Sequence, residues 1–519
     1  MEDRPIDHDA SAPDDASTSE GVEAPPRGAW ATVRKLGPGI IVAGSIVGSG
    51  ELIATTKVGA EAGFWLLWLI VVGCVIKVFA QVELGRYTIT WGQTGLQALN
   101  TLPGPRWKVN WVLWYWALMT ILIITQQGGI VGGVGQVLAI NQPITDQGVV
   151  YTQAQDTLVN TRVELARVRL EAPGTAQVAA LQQDVASMEA RLDDMPTPPD
   201  GALWAGLLAV LTSALLYVGR YGLIERVATI FVGAFTVVTI ATLFLLQATD
   251  WAVTSQHIAD GFSFQLPPIG DRFSDNPLAT ALAAFGLIGL GSGELIMYPY
   301  WCLEKGYAQY TGLRDGTKSW LKRAKGWIRV LHTDAWLSMG VYTFATVAFY
   351  LLGAAVLWRS GLNPAGQGLI RTLAEMYVPV FGPWAYDVFL LGAFAVLYST
   401  FFVVAAGYAR IVADGLQLFG LIGQADADRA RWTTILSVAW PILAAVIYAF
   451  LQAPAAMVLA SGVAQAVMLP MLGFAALYFR YRRTDPDLTP NRIWDVLLWL
   501  SFAGLLVAGL GSLYSTFVG

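Results

Sequence analysis

Charge is what this sequence has least of. Asp, Glu, Lys and Arg make up 13% of its 519 residues, about half of the roughly 25% found in an ordinary soluble domain. Hydrophobic residues make up 55%, and a soluble fold of that composition would need an implausibly large apolar core. Two cysteines, Cys74 and Cys302, both in apolar surroundings, argue against a disulfide framework or a thiolate metal cluster. Three histidines, His8, His257 and His332, share no spacing that suggests a joint site. The first 25 residues are acidic and rich in Pro and Ser, with no apolar core, so no secretory signal is read there. Residues 1–34 are expected to form a disordered cytoplasmic tail. No nucleotide-binding loop, soluble ATPase domain or nucleophile motif occurs. No catalytic chemistry, cofactor or nucleic-acid partner is therefore expected.

What the chain does have is apolar length. Windows of roughly 20 apolar residues predict eleven membrane spans, near 38–58, 63–87, 110–139, 202–219, 224–247, 278–300, 334–357, 384–410, 433–451, 455–479 and 493–517. The 20 Trp, 19 Tyr and 22 Phe, many near the ends of these runs, suit aromatic belts at the two interfaces of a bilayer. The fold class is thus an all-α polytopic membrane protein, with residues 35–519 as its transmembrane domain.

Lys and Arg in the connections orient it. Lys305, Arg314, Lys318, Lys322, Arg323, Lys325 and Arg329 lie between spans six and seven. Arg480, Arg482, Arg483 and Arg492 lie between ten and eleven; Arg27, Arg34 and Lys35 precede span one; Arg220 and Arg226 flank the turn after span four. All four segments share a side when the count is eleven. The N-terminus is then cytoplasmic and the C-terminus extracellular or periplasmic, in a plasma (inner) membrane.

The same count puts residues 141–201 outside. There Val178, Leu181, Val185, Met188 and Leu192 follow an alternating three-four spacing. Tyr151, Ala154, Leu158, Leu165 and Val168 follow the same seam, interrupted at Thr161, and Pro173-Gly174 separates the two runs. An antiparallel coiled-coil hairpin inserted between spans three and four is predicted. It is read as a tolerated insertion that packs only on itself, or alternatively as an arm for a protein partner.

One five-residue phrase occurs twice inside apolar stretches: Ser49-Gly50-Glu51-Leu52-Ile53 and Ser292-Gly293-Glu294-Leu295-Ile296. Glycine-interrupted hydrophobic segments at corresponding positions of two halves point to the binding site of a secondary transporter. An ionisable side chain at membrane depth is functional by default. Both glutamates lie in the first turn after a Ser, however, so locally satisfied helix starts are the competing reading. Lys57, Glu61, Lys77, Glu83 and Arg86 are read as span-end residues that snorkel to the interface. Asp334, Asp387, Arg410 and Asp414 are also placed near interfaces. Gln126, Gln127 and Gln465 line a polar path or make packing hydrogen bonds between helices.

Four further motifs, in order, resemble the NRAMP divalent-metal transporters. Gly37-Pro38-Gly39 matches the family's opening of span one. Gly219-Arg220-Tyr221 with Glu225 is similar to its span four–five turn, Arg329 with Asp334 to its approach to span seven, and Leu469-Pro470 to its span-ten Leu-Pro-Phe. The resemblance covers residues 35 to 515 except the hairpin. It implies a LeuT-type inverted repeat with helices one and six broken. It also shows where this chain departs. Counting from Gly-Pro-Gly, the family's Asp-Pro-Gly-Asn falls on Gly48, Ser49, Gly50 and Glu51, so the metal-binding Asp is replaced by glycine and the Asn by Glu51. The family's Met-Pro-His falls on Gly293, Glu294 and Leu295, which removes a thioether ligand and a histidine tied to protons. The acidic residues of span three align with Gln126 and Gly129, and the span-ten Gln with Gly462.

The candidate substrate-binding residues are therefore Gly48, Ser49, Glu51, Leu290, Gly291, Ser292 and Glu294, with Glu51 and Glu294 as candidate metal ligands facing each other across the centre. Carbonyls of Val47, Gly48, Leu290 and Gly291 are expected to be freed by the breaks. Such an all-oxygen set suits hard cations such as Mg²⁺ or Mn²⁺. Two facing carboxylates repel, so at least one is expected to hold a proton that a dication displaces. An organic or monovalent cation, or a non-transporting receptor or scaffold built around the hairpin, are the alternatives.

Overall fold

The computed structural model describes residues 21–171, 174–218, 221–267 and 276–517. Among them eight helical stretches are long and apolar enough to cross a membrane: Leu67–Trp91, Trp111–Asn141, Asp200–Val218, Lys318–Trp358, Gly366–Leu418, Asp426–Leu451, Pro454–Arg482 and Arg492–Phe517. They coincide with expected spans two, three, four and seven to eleven. Helix Tyr221–Leu245 stands at expected span five. At spans one and six the chain is broken.

Local chemistry sets the boundaries. Span two ends where Gly92 turns left-handed at φ 65°. Asn110 opens span three by accepting the Val112 amide at 3.1 Å, and Thr317 opens span seven by accepting the Trp320 amide at 3.1 Å. Span seven starts earlier than its hydropathy suggested: the basic stretch from Lys318 continues the same helix, and a π-helical turn, Gly353–Trp358, ends it. Gln452, at φ 48°, and Pro454 divide span nine from span ten.

Span one comprises helix Pro38–Ile46, a break at Val47 and Gly48, a π-helical stretch Ser49–Thr55 and helix Thr56–Ala62. Span six comprises helix Pro277–Phe285, an irregular segment over 286–291 and helix Ser292–Glu304. The two copies of the repeated phrase are therefore not conformationally equal: the first is π-helical, the second α-helical. Spans two, seven, eight and ten pack around these broken helices.

Two residues placed near interfaces are instead buried. Asp334 is 0% exposed; its carboxylate accepts the Gly37 amide at 3.0 Å, the Gly39 amide at 2.5 Å and the Tyr298 hydroxyl at 3.1 Å. It thus caps the first helix of span one from span seven, where orphan amides need an acceptor. Asp414 accepts the hydroxyls of Thr94 at 2.5 Å and Tyr300 at 2.6 Å. Glu83 and Arg86 do not snorkel either. They pair at 3.2 Å beneath span eleven, with the Trp494 indole donating to Glu83 at 2.7 Å and Arg86 donating to the Leu488 carbonyl at 3.0 Å.

Helices Asp146–Glu171 and Ala176–Asp193 lie between spans three and four and pack on each other. Leu158, Leu165, Val178 and Leu192 are buried, and Arg162 pairs with Glu189 at 2.6 Å. Of the turn, Gly174 is described, at φ 79°, while Pro173 lies outside the described residues. The pair of helices does not pack only on itself. Asp156 accepts from Arg371 at 2.5 Å, and the first helix rests on helix Leu369–Ala374. The reason is electrostatic: Arg371's side chain is almost fully buried, and a buried guanidinium demands a counter-charge.

Within the stretch expected as a tail, Glu23 contacts the body: its amide donates to the Tyr310 carbonyl at 3.1 Å, and its own carbonyl accepts the Trp327 indole at 3.0 Å. Arg220 and the Gly219-Arg220 part of the expected turn lie outside the described residues.

Candidate functional site

The breaks in spans one and six meet a common set of neighbours at the centre of the bundle. Span six can bend there because Gly289 adopts φ 62°, a conformation L side chains rarely take, with Cys74 and Tyr342 close against it. Span one can bend at Gly48 because there is no side chain. A Cβ at Gly48 would overlap the Thr400 hydroxyl of span eight. The position aligned with a metal-binding Asp therefore has no room here for a carboxylate on the existing backbone.

Glu51 is 0% exposed. Its Oε1 lies 3.1 Å from the Thr346 hydroxyl of span seven, and its Oε2 is buried without a hydrogen-bond partner. Glu294 is only half-buried. Its Oε2 and the Gln465 Oε1 of span ten both sit over the Gly291 α-carbon, and Tyr408 of span eight closes in above Gly293. Gln465 accepts the Gly293 amide at 3.1 Å and donates to Gln126 at 2.9 Å, and Ser461 donates to the same Gln126 oxygen at 2.9 Å. Gln126 and Gln465 are thus one network that ends on the broken helix, whereas Gln127 is fully buried with neither amide atom partnered.

The helix-start reading fares poorly for the serines. Gly48 and Gly291 occupy the N-cap positions, and neither stretch has a side-chain cap. Ser49 is buried inside the π-helical stretch, and Ser292 donates to the Met119 thioether of span three at 3.1 Å. A sulfur therefore stands at the edge of a site read as all oxygen. The carbonyls also differ from expectation. Gly48 and Gly291 accept the Leu52 and Leu295 amides at 2.8 and 3.0 Å, because helix formation resumes at once after each break; Val47 and Leu290 are buried beside them.

The carbonyls that the break does expose hold a residue assigned above to the interface. Lys77 is 0% exposed, and its ammonium donates to the carbonyls of Phe285 at 2.5 Å and Ile288 at 2.6 Å. Its depth was legible: ten residues inside helix Leu67–Trp91 is about 15 Å from the nearer end, farther than a lysine side chain reaches. Thr346, Thr400 and Tyr408, by contrast, carry no signal in the sequence, since hydroxyl residues are ordinary in apolar helices. Lys57 and Glu61 do not snorkel: they form a largely buried pair at 2.8 Å, with Lys57 also donating to Asn363 at 2.7 Å.

The histidines stay apart from this site. His257 stacks on Phe64 with centroids 4.3 Å apart, and its burial, together with Arg359, holds its imidazole below the usual pKa. His332 contacts Arg86, and His8 is outside the described residues. Among the described residues no three His, Cys, Asp or Glu side chains come together as a ready metal cluster. The polar atoms near the two breaks are the Glu51 and Glu294 carboxylates, the Thr346 hydroxyl and the Gln465 amide, with the Met119 thioether at the edge.

Residues 176–515 match the family model for natural resistance-associated macrophage protein-like sequences, Nramp. An uncharacterised protein of Pasteurella multocida is 22% identical over 483 residues, covering 91% of this chain and 89% of the relative. The divalent metal cation transporter MntH of Caldanaerobacter subterraneus subsp. tengcongensis is 21% identical over 363 residues, 70% of this chain and 67% of the relative. The crystal structure of the Eremococcus coleocola manganese transporter superposes with a TM-score of 0.61 at 16% identity, over 96% of this chain and 90% of that one. That of MhsT bound to L-phenylalanine gives 0.50 at 15% identity, over 91% and 98%. The fold is of the LeuT type.

Proposed function

Since this chain belongs to the Nramp family, we propose that it is a secondary transporter that moves a cation, a divalent metal such as Mg²⁺ or Mn²⁺, by alternating access around the broken centres of spans one and six. The observation that carries this reading is Glu51 Oε2, a ligand oxygen buried without a partner just after the first break, with a second glutamate, Glu294, just after the other. A buried carboxylate oxygen left unpaired costs on the order of several kcal/mol, and a cation offsets that cost. Two carboxylates match a dication in charge, and oxygen ligands favour hard ions. The manganese transporter and MntH named above are likenesses that point the same way.

The topology proposed with it is eleven spans, cytoplasmic N-terminus, external C-terminus and an external helical hairpin, in the plasma (inner) membrane. No enzymatic step and no resident cofactor are involved; the metal is cargo. An organic or monovalent cation is the second reading, and Lys77 favours it: one ammonium beside two carboxylates leaves a single negative charge to match. A hairpin-binding protein partner is compatible with either.

Flux into proteoliposomes with Mg²⁺, Mn²⁺, Fe²⁺, Ca²⁺ and organic cations tests the readings. Uptake of a hard divalent ion, lost in E51Q, is the expected result. Uptake of organic cations alone moves the assignment to the second reading, and no uptake of any cation overturns both.

A further inference from the structure

Lys77 has no part in the divalent-metal reading, yet it is a fully buried positive charge beside the site. Helix Pro277–Phe285 ends at the break with its carbonyls pointing out of the helix, the negative end of its dipole. The Lys77 ammonium sits on that end, 2.5 Å from the Phe285 carbonyl oxygen and 2.6 Å from that of Ile288, and 4.6 Å from the centre of the Phe285 ring. Both hydrogen bonds go to neutral carbonyls rather than to a carboxylate, although the charges of Glu294 and Glu51 both act on it. Convergent carbonyls at a helix C-terminus, an aromatic face and nearby carboxylates are what a free monovalent cation would choose.

We propose that the Lys77 ammonium is a tethered cation, filling a monovalent-ion position made by the Phe285 and Ile288 carbonyls, so that the wild-type protein needs no free monovalent ion there and removal of the side chain opens the position to ammonium or an alkali ion. The ion position stands on the Lys77 geometry; only its consequence for substrate movement rests on the transport reading. The competing account is a lysine that merely caps a helix end. Capping predicts a loss of stability on truncation that no dissolved cation repairs.

The two accounts separate in a thermal-unfolding titration of the purified full chain. Wild type, K77A and K77M are compared in sodium, potassium, ammonium, methylammonium and N-methylglucamine chlorides at constant ionic strength. Wild type should give one midpoint in all five. K77A should fall in N-methylglucamine and regain at least half of the loss in ammonium, methylammonium or an alkali ion. K77M fills the space with an uncharged chain and should not respond. Equal K77A midpoints in all salts overturn the proposal, as does a wild type selectively stabilised by sodium or potassium. Should K77A be recovered only when a small cation is present during solubilisation, the proposal is supported. Should it be recovered in none of these cations, the proposal is overturned. Divalent binding by wild type is measured in parallel. Its absence would remove the transport reading without altering the cation response of K77A.

Discussion

The Thr346 hydroxyl lies 3.1 Å from Glu51 Oε1 and 2.6 Å from the Tyr342 carbonyl oxygen. It has one hydrogen for two acceptors. If that hydrogen goes to Tyr342, the contact with Glu51 is a hydrogen bond only when Glu51 itself carries a proton. A cation at Glu51 would displace that proton, so dication binding should release close to one proton per ion. Calorimetry of Mn²⁺ or Mg²⁺ binding in buffers of different ionisation enthalpy measures the number, and E51Q should bring it to zero. Affinity should fall as pH drops, because carboxylate ligands bind metal deprotonated. Binding without proton release in wild type removes the link.

E51Q and E294Q should each weaken divalent binding by about 3 kcal/mol, roughly 100-fold, through loss of a charge and a ligand together. The double variant should lose less than the sum, since both side chains report on one site. Additive losses in a full calorimetric cycle would mean that Glu51, held against span seven, and Glu294, held beside span ten, serve separate ions.

Restoring the family's aspartate should not restore the family's site. In G48D the new side chain meets Thr400, and overpacking of this kind costs about 1–3 kcal/mol. Thermal midpoints of G48A and G48D should both fall below wild type, with no gain in Mn²⁺ affinity for G48D. A stable G48D that binds Mn²⁺ tighter would show that the backbone at the break readily shifts.

D334N keeps the shape of the cap on span one but turns one of its two accepting oxygens into a donor, and should cost about 1–3 kcal/mol for the buried hydrogen bond lost. D334A should cost more. Thermal unfolding of the two variants checks the order, and an unchanged midpoint in D334A would mean that Gly37 and Gly39 find another acceptor.

Ser187, on the second helix of the hairpin, and Ser319, at the start of span seven, are both exposed, so cysteines placed there are reachable by a membrane-impermeant thiol reagent. S187C should label from outside and S319C only after the membrane is opened. Labelling of both from one side contradicts the eleven-span topology.

The sequence by itself determined a great deal here. Apolar length located the spans, because a bilayer allows only backbone that satisfies itself, and the doubled Ser-Gly-Glu phrase located both breaks, because glycine and carboxylate are costly in lipid. It did not determine the partners. That Glu51 turns to Thr346 while Glu294 folds over Gly291 follows from one copy resuming as π-helix and the other as α-helix, a difference that identical residues cannot encode locally. Asp334 and Asp414 read as interface residues because each could be assigned to a helix end; Lys77 shares that reading although its position in mid-span already speaks against it. Only tertiary packing shows that Asp334 and Lys77 face the ends of other helices, where unpaired amides and carbonyls three hundred or two hundred residues away in the chain supply the compensation that water would otherwise give, and that Asp414 meets the hydroxyls of Thr94 and Tyr300. Gly48 looked like a lost ligand. The structure shows a glycine required by Thr400, a contact between spans one and eight that no spacing within either span could reveal.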